Sequence, residues 1–315
     1  MNNPLVSVLI PAYNHENYVQ KSIQSVIDQK YKNIELIVLD DGSNDSTFQK
    51  IQEMREVCEK RFVNVIFRSK VNEGTCATFN KLIELSSGEY VYIIASDDLA
   101  KPDAIQVEVE FLENNKDYAL CTGNDEFIDS EGKVCYWKND EQEITYNSDE
   151  AKFKTLFEAI KPNKEEDFGK YSFLYIKNHV PNGYLIRKSI FEKTGLFTKE
   201  APLEDWYLML QISKYSKMKY IDKVLFSYRW HSSNTVKNRK KMLDYAEKTQ
   251  LFEEKIINQT DRSSVFPEVF ETLKNGAVYK KTGIPYLFEI VKVIKSAKKI
   301  RQIKLFNIKI LEFEK

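Results

Sequence analysis

The chain has 315 residues, 42% of them hydrophobic and 13% aromatic, which suits one large or two modest packed domains and excludes a disordered chain. Lys plus Arg and Asp plus Glu balance at 47 each, so overall charge argues for no nucleic acid or other polyanionic partner.

The opening "MNNPLVSVLIPAYN" has no basic n-region, and its apolar run is too short for a signal peptide. No later run approaches the roughly 20 apolar residues that span a bilayer. The expectation is a soluble, cytoplasmic protein, at most attached to the inner face of the membrane. Short β-branched runs then recur: "VSVLI" from Val6, "IELIVLD" from Ile34, "VNVIF" from Val63, "YVYIIAS" from Tyr90 and "YALCTG" from Tyr118. Their starts lie 28, 29, 27 and 28 residues apart, close to the length of one βαβ unit. Between them lie helical stripes, one with Val19, Ile23, Val26 and Ile27, another with Phe79, Leu82, Ile83 and Leu85. Near-continuous apolar strands indicate a parallel sheet covered on both faces, hence a doubly wound α/β fold. Cys58 and Cys76 fall in predicted helices and Cys121 in a predicted strand; with Cys135 they form no CxxC pair, so reduced thiols are expected.

Ligands of such sheets bind outside the carboxyl ends of the strands. Those ends lead into "PAYNHENY", "DDGSNDST", "RSKVNEGT" and "SDD", so topology gathers Asp40, Asp41, Asp97 and Asp98 on one edge. A solvated turn or a helix cap explains one acidic pair, and explains two less well. No GxxxxGK[ST] loop and no GxGxxG follows the first strand. Carboxylates at that edge fit phosphate held through a hard divalent cation, Mg²⁺ or Mn²⁺. Gly42 suits a tight turn there, and Asp45 or Ser46 suits a cap on the next helix.

The stretch "VSVLIPAYNHENYVQKSIQSVIDQKYKNIELIVLDDGSNDST", followed by "NEGTCATFNKLIELSSGEYVYIIASDD", resembles the nucleotide-sugar domain of family 2 glycosyltransferases with the GT-A fold. The resemblance runs from about residue 5 to 231. It implies inverting transfer of a hexose or N-acetylhexosamine from a nucleoside-diphosphate sugar, UDP-linked by preference. The acceptor would be a glycan or lipid-linked glycan of a bacterial surface polysaccharide. Carried over by position, Pro11, Ala12, Tyr13 and Asn14 would wall base and ribose, with Asn72 counted on the same pocket. Asp40 and Asp41 would be the second-strand acidic pair, Asp41 facing the uracil edge. The family's DxD motif falls on "ASDD", where many members have Asp in place of Ala95. Asp97 would then turn to ribose or phosphate and Asp98 to the metal.

Further on, "APLEDWYLMLQI" places two carboxylates in the first turn of a helix opened by Pro202. Taken alone they complement the helix dipole. The resemblance implies Asp205 as base, Glu204 as an acceptor-hydroxyl contact and Trp206 as a pocket wall. In "VLFSYRWHSSN", Phe226, Tyr228 and Trp230 alternate with Ser227, Arg229 and His231, as on a half-buried strand. The family pattern makes His231 a further metal ligand; His15 and His179 have weaker claims. Asn182 and Gly183 fall near donor sugar and acceptor, and Arg187 and Lys188 read as surface charges. Residues 125 to 180 fit the family poorly and read as an acceptor-binding insertion or flap.

The expected organisation is a catalytic domain over 1–235, with nucleotide-sugar binding in 1–125 and the acceptor side in 126–235. A helical, basic extension follows over 236–315. Beyond residue 285, basic residues such as Lys292, Lys295, Lys298 and Arg301 interleave with apolar ones as on an amphipathic helix. Such a helix packs on the catalytic domain or a second subunit, or lies on an anionic membrane leaflet. Two rival functions were weighed. A nucleotidyltransferase needs a basic Gly-rich loop that "PAYNHENY" lacks, and a non-catalytic sugar-nucleotide binder has no use for the Glu204–Asp205 pair.

Overall fold

The 28-residue beat is a series of strand–helix units: β1 (Val6–Ala12), α1 (Val19–Ile27), β2 (Ile34–Asp40), α2 (Thr47–Glu53), α3 (Arg55–Arg61), β3 (Asn64–Ser69), α4 (Thr75–Leu85) and β4 (Tyr90–Ile93). A two-residue strand β5 (Leu99–Ala100), α5 (Ala104–Asn114) and the long β6 (Tyr118–Ile128) follow. Next come β7 (Val134–Trp137), β8 (Ile144–Thr145), α6 (Leu156–Ile160), α7 (Tyr171–Ile176), β9 (Tyr184–Arg187), α8 (Phe191–Thr194), α9 (Glu204–Tyr215), β10 (Lys217–Arg229) and α10 (Arg239–Ile257). The computed structural model describes residues 3–160, 168–176, 181–257, 259–267 and 269, with strand segments 277–280, 291–294, 302–305 and 308–312.

The main sheet runs β3-β2-β1-β4-β9-β6-β10-β5. β1, β2, β3 and β4 are parallel, in a register that sets Val6 beside both Ile34 and Tyr90. β6 and β10 are parallel to each other, and β9 lies antiparallel between β4 and β6. Period-two alternation splits the core. Val6, Val8 and Ile10 of β1 join the apolar layer under α1, α3 and α5, whereas Leu9 joins the opposite layer with α4, α7, α9 and α10. Residues on both faces are buried, so the near-continuous apolar strands have the cause the sequence suggested.

Four features depart from the expectations. The polar stretch after residue 125 has its own apolar cluster, in which Phe127, Trp137, Phe153 and Leu156 pack with Tyr228 and Trp230; the Phe127 and Trp137 rings stack with centroids 4.1 Å apart. The last five residues of β10, Leu225 to Arg229, are buried on both faces, with Ser227 donating to Glu126 Oε1 (2.9 Å) and Arg229 to the Asp97 carbonyl (2.6 Å). Arg187 and Lys188 are tied inward, Arg187 donating to the Tyr90 hydroxyl (2.8 Å) and the Leu112 carbonyl (3.0 Å), and Lys188 to the Ser86 carbonyl (2.5 Å). In the tail, α10 is the expected helix, but the described segments beyond it are strands: Ala277–Lys280 pairs with Val291–Ile294, and Gln302–Leu305 with Ile308–Glu312. "VKVI" and "IKIL" alternate apolar with basic at period two and are rich in β-branched residues, which favours hairpins over an amphipathic helix.

Candidate active site

The carboxyl edge of β1 to β4 is stitched together by its own polar residues. Gly42 takes φ +71°, and a Cβ there would lie 2.9 Å from both the Asn72 nitrogen and the Lys70 carbonyl oxygen, so only glycine fits between the second and third loops. Asp45, not Ser46, serves the start of α2 by accepting from the Thr47 amide (2.9 Å). Asn14 has φ +53° and its side chain accepts from the Asn44 amide (2.9 Å), while its own amide donates to Ser43 Oγ (2.8 Å). Pro11 and Ala12 end β1, and Tyr13 shows 44% of its surface on the rim, open to a flat ligand. Asp40 is fully occupied: it accepts from the Ser43 amide and hydroxyl and from Ser69 Oγ. Asp41 accepts from Lys70 and from the amides of Glu73 and Gly74 (3.1 and 3.0 Å), so in this structure it organises the loop that carries exposed Asn72.

The acidic loop after β4 is held by β10. β5 pairs with β10, setting Leu99 beside Ser227, and this brings Asp97 and Asp98 against the end of β10. Arg229 clips the loop twice: its amide donates to Asp98 Oδ1 (2.7 Å) and its Nε to the Asp97 carbonyl (2.6 Å). The guanidinium also donates to the Asp129 and Ser130 carbonyls. The two carboxylates differ in chemistry. Burial would raise Asp97, but the His231 hydrogen bond and the His15 imidazole outweigh it and hold the carboxyl below its usual range. Burial and the Asp97 charge push Asp98 well above that range.

His231 Nε2 lies 3.0 Å and His15 Nε2 3.7 Å from Asp97 Oδ2. Ligand atoms of His15, Asp97 and His231 all fall within 4.8 Å of one another, a donor set that fits a divalent cation. The sequence pairs Asp98 with His231; the structure instead groups Asp97 with His231 and turns Asp98 Oδ1 to the β10 backbone. His15 was undervalued, and the one signal for it was its place on the first strand-end loop. His179 lies outside the described residues.

Glu204 and Asp205 open α9, which is anchored where the Leu203 amide donates to Thr249 Oγ1 (3.0 Å) on α10. Asp205 Oδ1 accepts from the Trp206 amide (2.6 Å). Burial raises Asp205, and burial plus the Asp205 charge carries Glu204 up to about 8. Their charge is felt by Tyr184, raised by burial and then by both carboxylates. Tyr184 begins β9 directly beside Ile93, the last residue of β4, the strand from which the acidic loop springs. Cys76 on α4 borders it too, its thiol pushed up to about 12 by burial and by Glu204. Trp206 is no pocket wall: it is fully buried, and its indole donates to the Leu174 carbonyl (2.7 Å).

Asn182 and Gly183 lead into β9. The Asn182 amide and side chain both donate to Asp125 Oδ2 (3.1 and 3.2 Å), and a Cβ on Gly183 would strike the Phe226 ring at 2.2 Å. Asp125 lies within β6, three residues short of its end, so the strand-end rule gives no signal for it.

A profile of glycosyl transferase family 2 matches residues 7–182. An uncharacterized glycosyltransferase of Haemophilus influenzae is 30% identical over 238 residues, 74% of this chain and 68% of that protein. TuaG of Bacillus subtilis, a glycosyltransferase named for teichuronic acid biosynthesis, is 35% identical over 109 residues, 35% of this chain and 42% of TuaG. Among solved structures, Staphylococcus aureus TarS bound to UDP-GlcNAc superposes with TM-score 0.58 at 14% identity, covering 82% of this chain and 68% of that one. The mannosyltransferase PcManGT of Pyrobaculum calidifontis, bound to GDP-Man and Mn²⁺, gives 0.60 at 14% identity, with 86% and 69% covered. Sheet order, site edge and family profile converge: the chain is a glycosyltransferase with the GT-A fold and belongs to glycosyl transferase family 2.

Proposed function

We propose that the protein is an inverting glycosyltransferase that moves a sugar from a UDP-sugar to a hydroxyl of a glycan or lipid-linked glycan in surface-polysaccharide synthesis. The observation that carries this reading is the His15–Asp97–His231 cluster on the loops after β1 and β4 together with the Glu204–Asp205 pair, whose charge reaches Tyr184 beside the end of β4. TarS with UDP-GlcNAc, PcManGT with GDP-Man and the name of TuaG supply the substrate class.

Tyr13 stacks on the base, and Pro11, Ala12 and Asn14 line the nucleoside beside Asp40, Asp41 and Asn72. Asp97 and His231 would hold a divalent cation, Mn²⁺ or Mg²⁺, with Asp98 behind them, and such an ion would neutralise the charge of the donor's diphosphate. Asp205 accepts the proton of the acceptor hydroxyl as its oxygen bonds to the anomeric carbon. The bond from that carbon to the diphosphate oxygen breaks on the opposite face, and the leaving group departs with its electron pair. Glu204, raised to about 8, keeps its proton near neutral pH and donates a hydrogen bond to the acceptor, which leaves Asp205 as the ionised member.

The test is turnover of a UDP-sugar with a glycan acceptor by the wild-type chain and by Asp205→Asn. The variant retains UDP binding and loses about 10²–10⁴-fold in kcat. Undiminished turnover refutes the assignment.

A further inference from the structure

Two imidazoles reach the cluster from distant parts of the chain, His15 from the loop after β1 and His231 from the end of β10. Each presents Nε2 to the same oxygen, Asp97 Oδ2, at 3.7 and 3.0 Å. Behind each, Nδ1 meets a serine hydroxyl: His15 with Ser96 at 2.7 Å, His231 with Ser233 at 2.8 Å. Without a cation the Nε2–H of His231 donates to Asp97; with one, an Nδ1–H given to the serine hydroxyl would leave the Nε2 lone pair for the ion, the tautomer a metal ligand needs.

Neither ring is loosely placed. The His15 amide donates to Thr47 Oγ1 (2.7 Å), and its carbonyl accepts from the amides of Tyr18 and Val19 (both 2.9 Å) at the front of α1. The Tyr18 ring packs against both imidazoles, 6.0 Å from His15 and 4.7 Å from His231 by centroid, the two imidazoles themselves being 6.0 Å apart, and the Arg229 guanidinium covers it at 5.2 Å. The His231 amide donates to Asn234 Oδ1 (2.6 Å). Ser96 belongs to the same loop as Asp97, so carboxylate and hydroxyl move together. An arrangement serving only to neutralise Asp97 needs one imidazole, not two with matched hydroxyl supports.

We propose that His15 is a direct ligand of the cation, making a centre of two imidazoles and one carboxylate that selects Mn²⁺ and its later first-row neighbours over Mg²⁺. This deepens the reading of a cation-assisted donor site and rests on it. Mg²⁺ keeps near-octahedral oxygen ligation and sheds water reluctantly, whereas imidazole suits transition ions. In this account the second imidazole, His15, strengthens the preference that His231 begins, because each nitrogen ligand replaces an oxygen that Mg²⁺ would favour.

Mn²⁺ added to the full chain, without donor, is read by pulsed electron paramagnetic resonance for ¹⁴N coupling. Two directly bound imidazole nitrogens are expected in the wild type and one in either His15→Ala or His231→Ala. Mg²⁺ in hundredfold excess is expected to leave the signal in place. Ser96→Ala, which keeps the ligand, is expected to weaken Mn²⁺ about 10–100-fold. Bound Mn²⁺ with a single nitrogen in the wild type, or ready displacement by Mg²⁺, overturns this inference and leaves the donor-site reading standing. No bound Mn²⁺ at all overturns both. The wild-type nitrogen count needs no variant, so a misfolded His15→Ala does not blunt the test.

Discussion

Lys214 and Glu253 are almost without solvent exposure, and their charges meet at 2.8 Å between α9 and α10. Glu253 also accepts from Tyr171 Oη (2.8 Å) and Gln211 Nε2 (2.7 Å), and Lys214 donates to Gln211 Oε1 (2.8 Å). Burial lowers the lysine pKa, and the nearby carboxylate works against that. Removing one partner strands the other in the core, so Glu253→Ala should cost about 3–5 kcal/mol in urea unfolding. A Lys214→Met/Glu253→Leu double variant should recover most of the loss, and an unchanged midpoint in the single variant would contradict this account. The sequence hid the pair because Lys214 lies near the end of a helix, where a basic residue reads as a dipole partner. Trp206 misled in the opposite direction. Its place beside the two acids suggested a pocket, yet successive helix positions point about 100° apart, and that step turns the indole inward.

At the scale of elements, α5 and β6 meet through buried acids. Glu108 is fully buried, and among the described residues no side chain hydrogen-bonds to its carboxylate oxygens, to Asp125 Oδ1 or to the Tyr92 hydroxyl. Burial and the Asp125 charge raise Glu108, and burial raises Asp125 to about 8 against the hydrogen bonds from Asn182. The folded state therefore retains protons that the unfolded chain releases near pH 4. Stability from these groups is complete below that pH and is lost as pH climbs toward about 8. Asp97, Glu35 and Asp45 are shifted downward and act only at more acidic pH. Denaturation midpoints should fall from pH 5 to pH 8, and Glu108→Gln should flatten that slope; equal slopes in both proteins would exclude the pair as its source. The strand beat of the first 125 residues was legible because each parallel strand carries its own apolar run. β9 was not, since four residues of "YLIR" carry no periodicity that separates a strand from a helix turn, and only pairing with β4 and β6 defines it.

For the whole molecule, the gathering of Asp40, Asp41, Asp97 and Asp98 on one edge of the sheet was legible in the sequence, because strand ends follow from topology alone. It could not decide which of two adjacent carboxylates faces His231, because that depends on the two-residue β5 and on Arg229 reaching across from β10. If that edge binds a cation and a nucleotide together, thermal unfolding of the intact chain reports it. UDP with Mn²⁺ at about 100 times its Kd should add about 2.7 kcal/mol, and EDTA should remove the gain. A shift with UDP that EDTA leaves intact would remove the ion from the account. Among the described residues no helix is long and apolar enough to cross a bilayer, so insertion by a helix of that part of the chain does not complicate the measurement. One last consequence follows from β9. Bonded to β4 on one side and to β6 on the other, it joins the strands that carry the acidic loops to the β6–β10 half of the sheet in one continuous slab. Opening such a slab would tear a ladder of amides, so entry and exit fall to the connections above its rim.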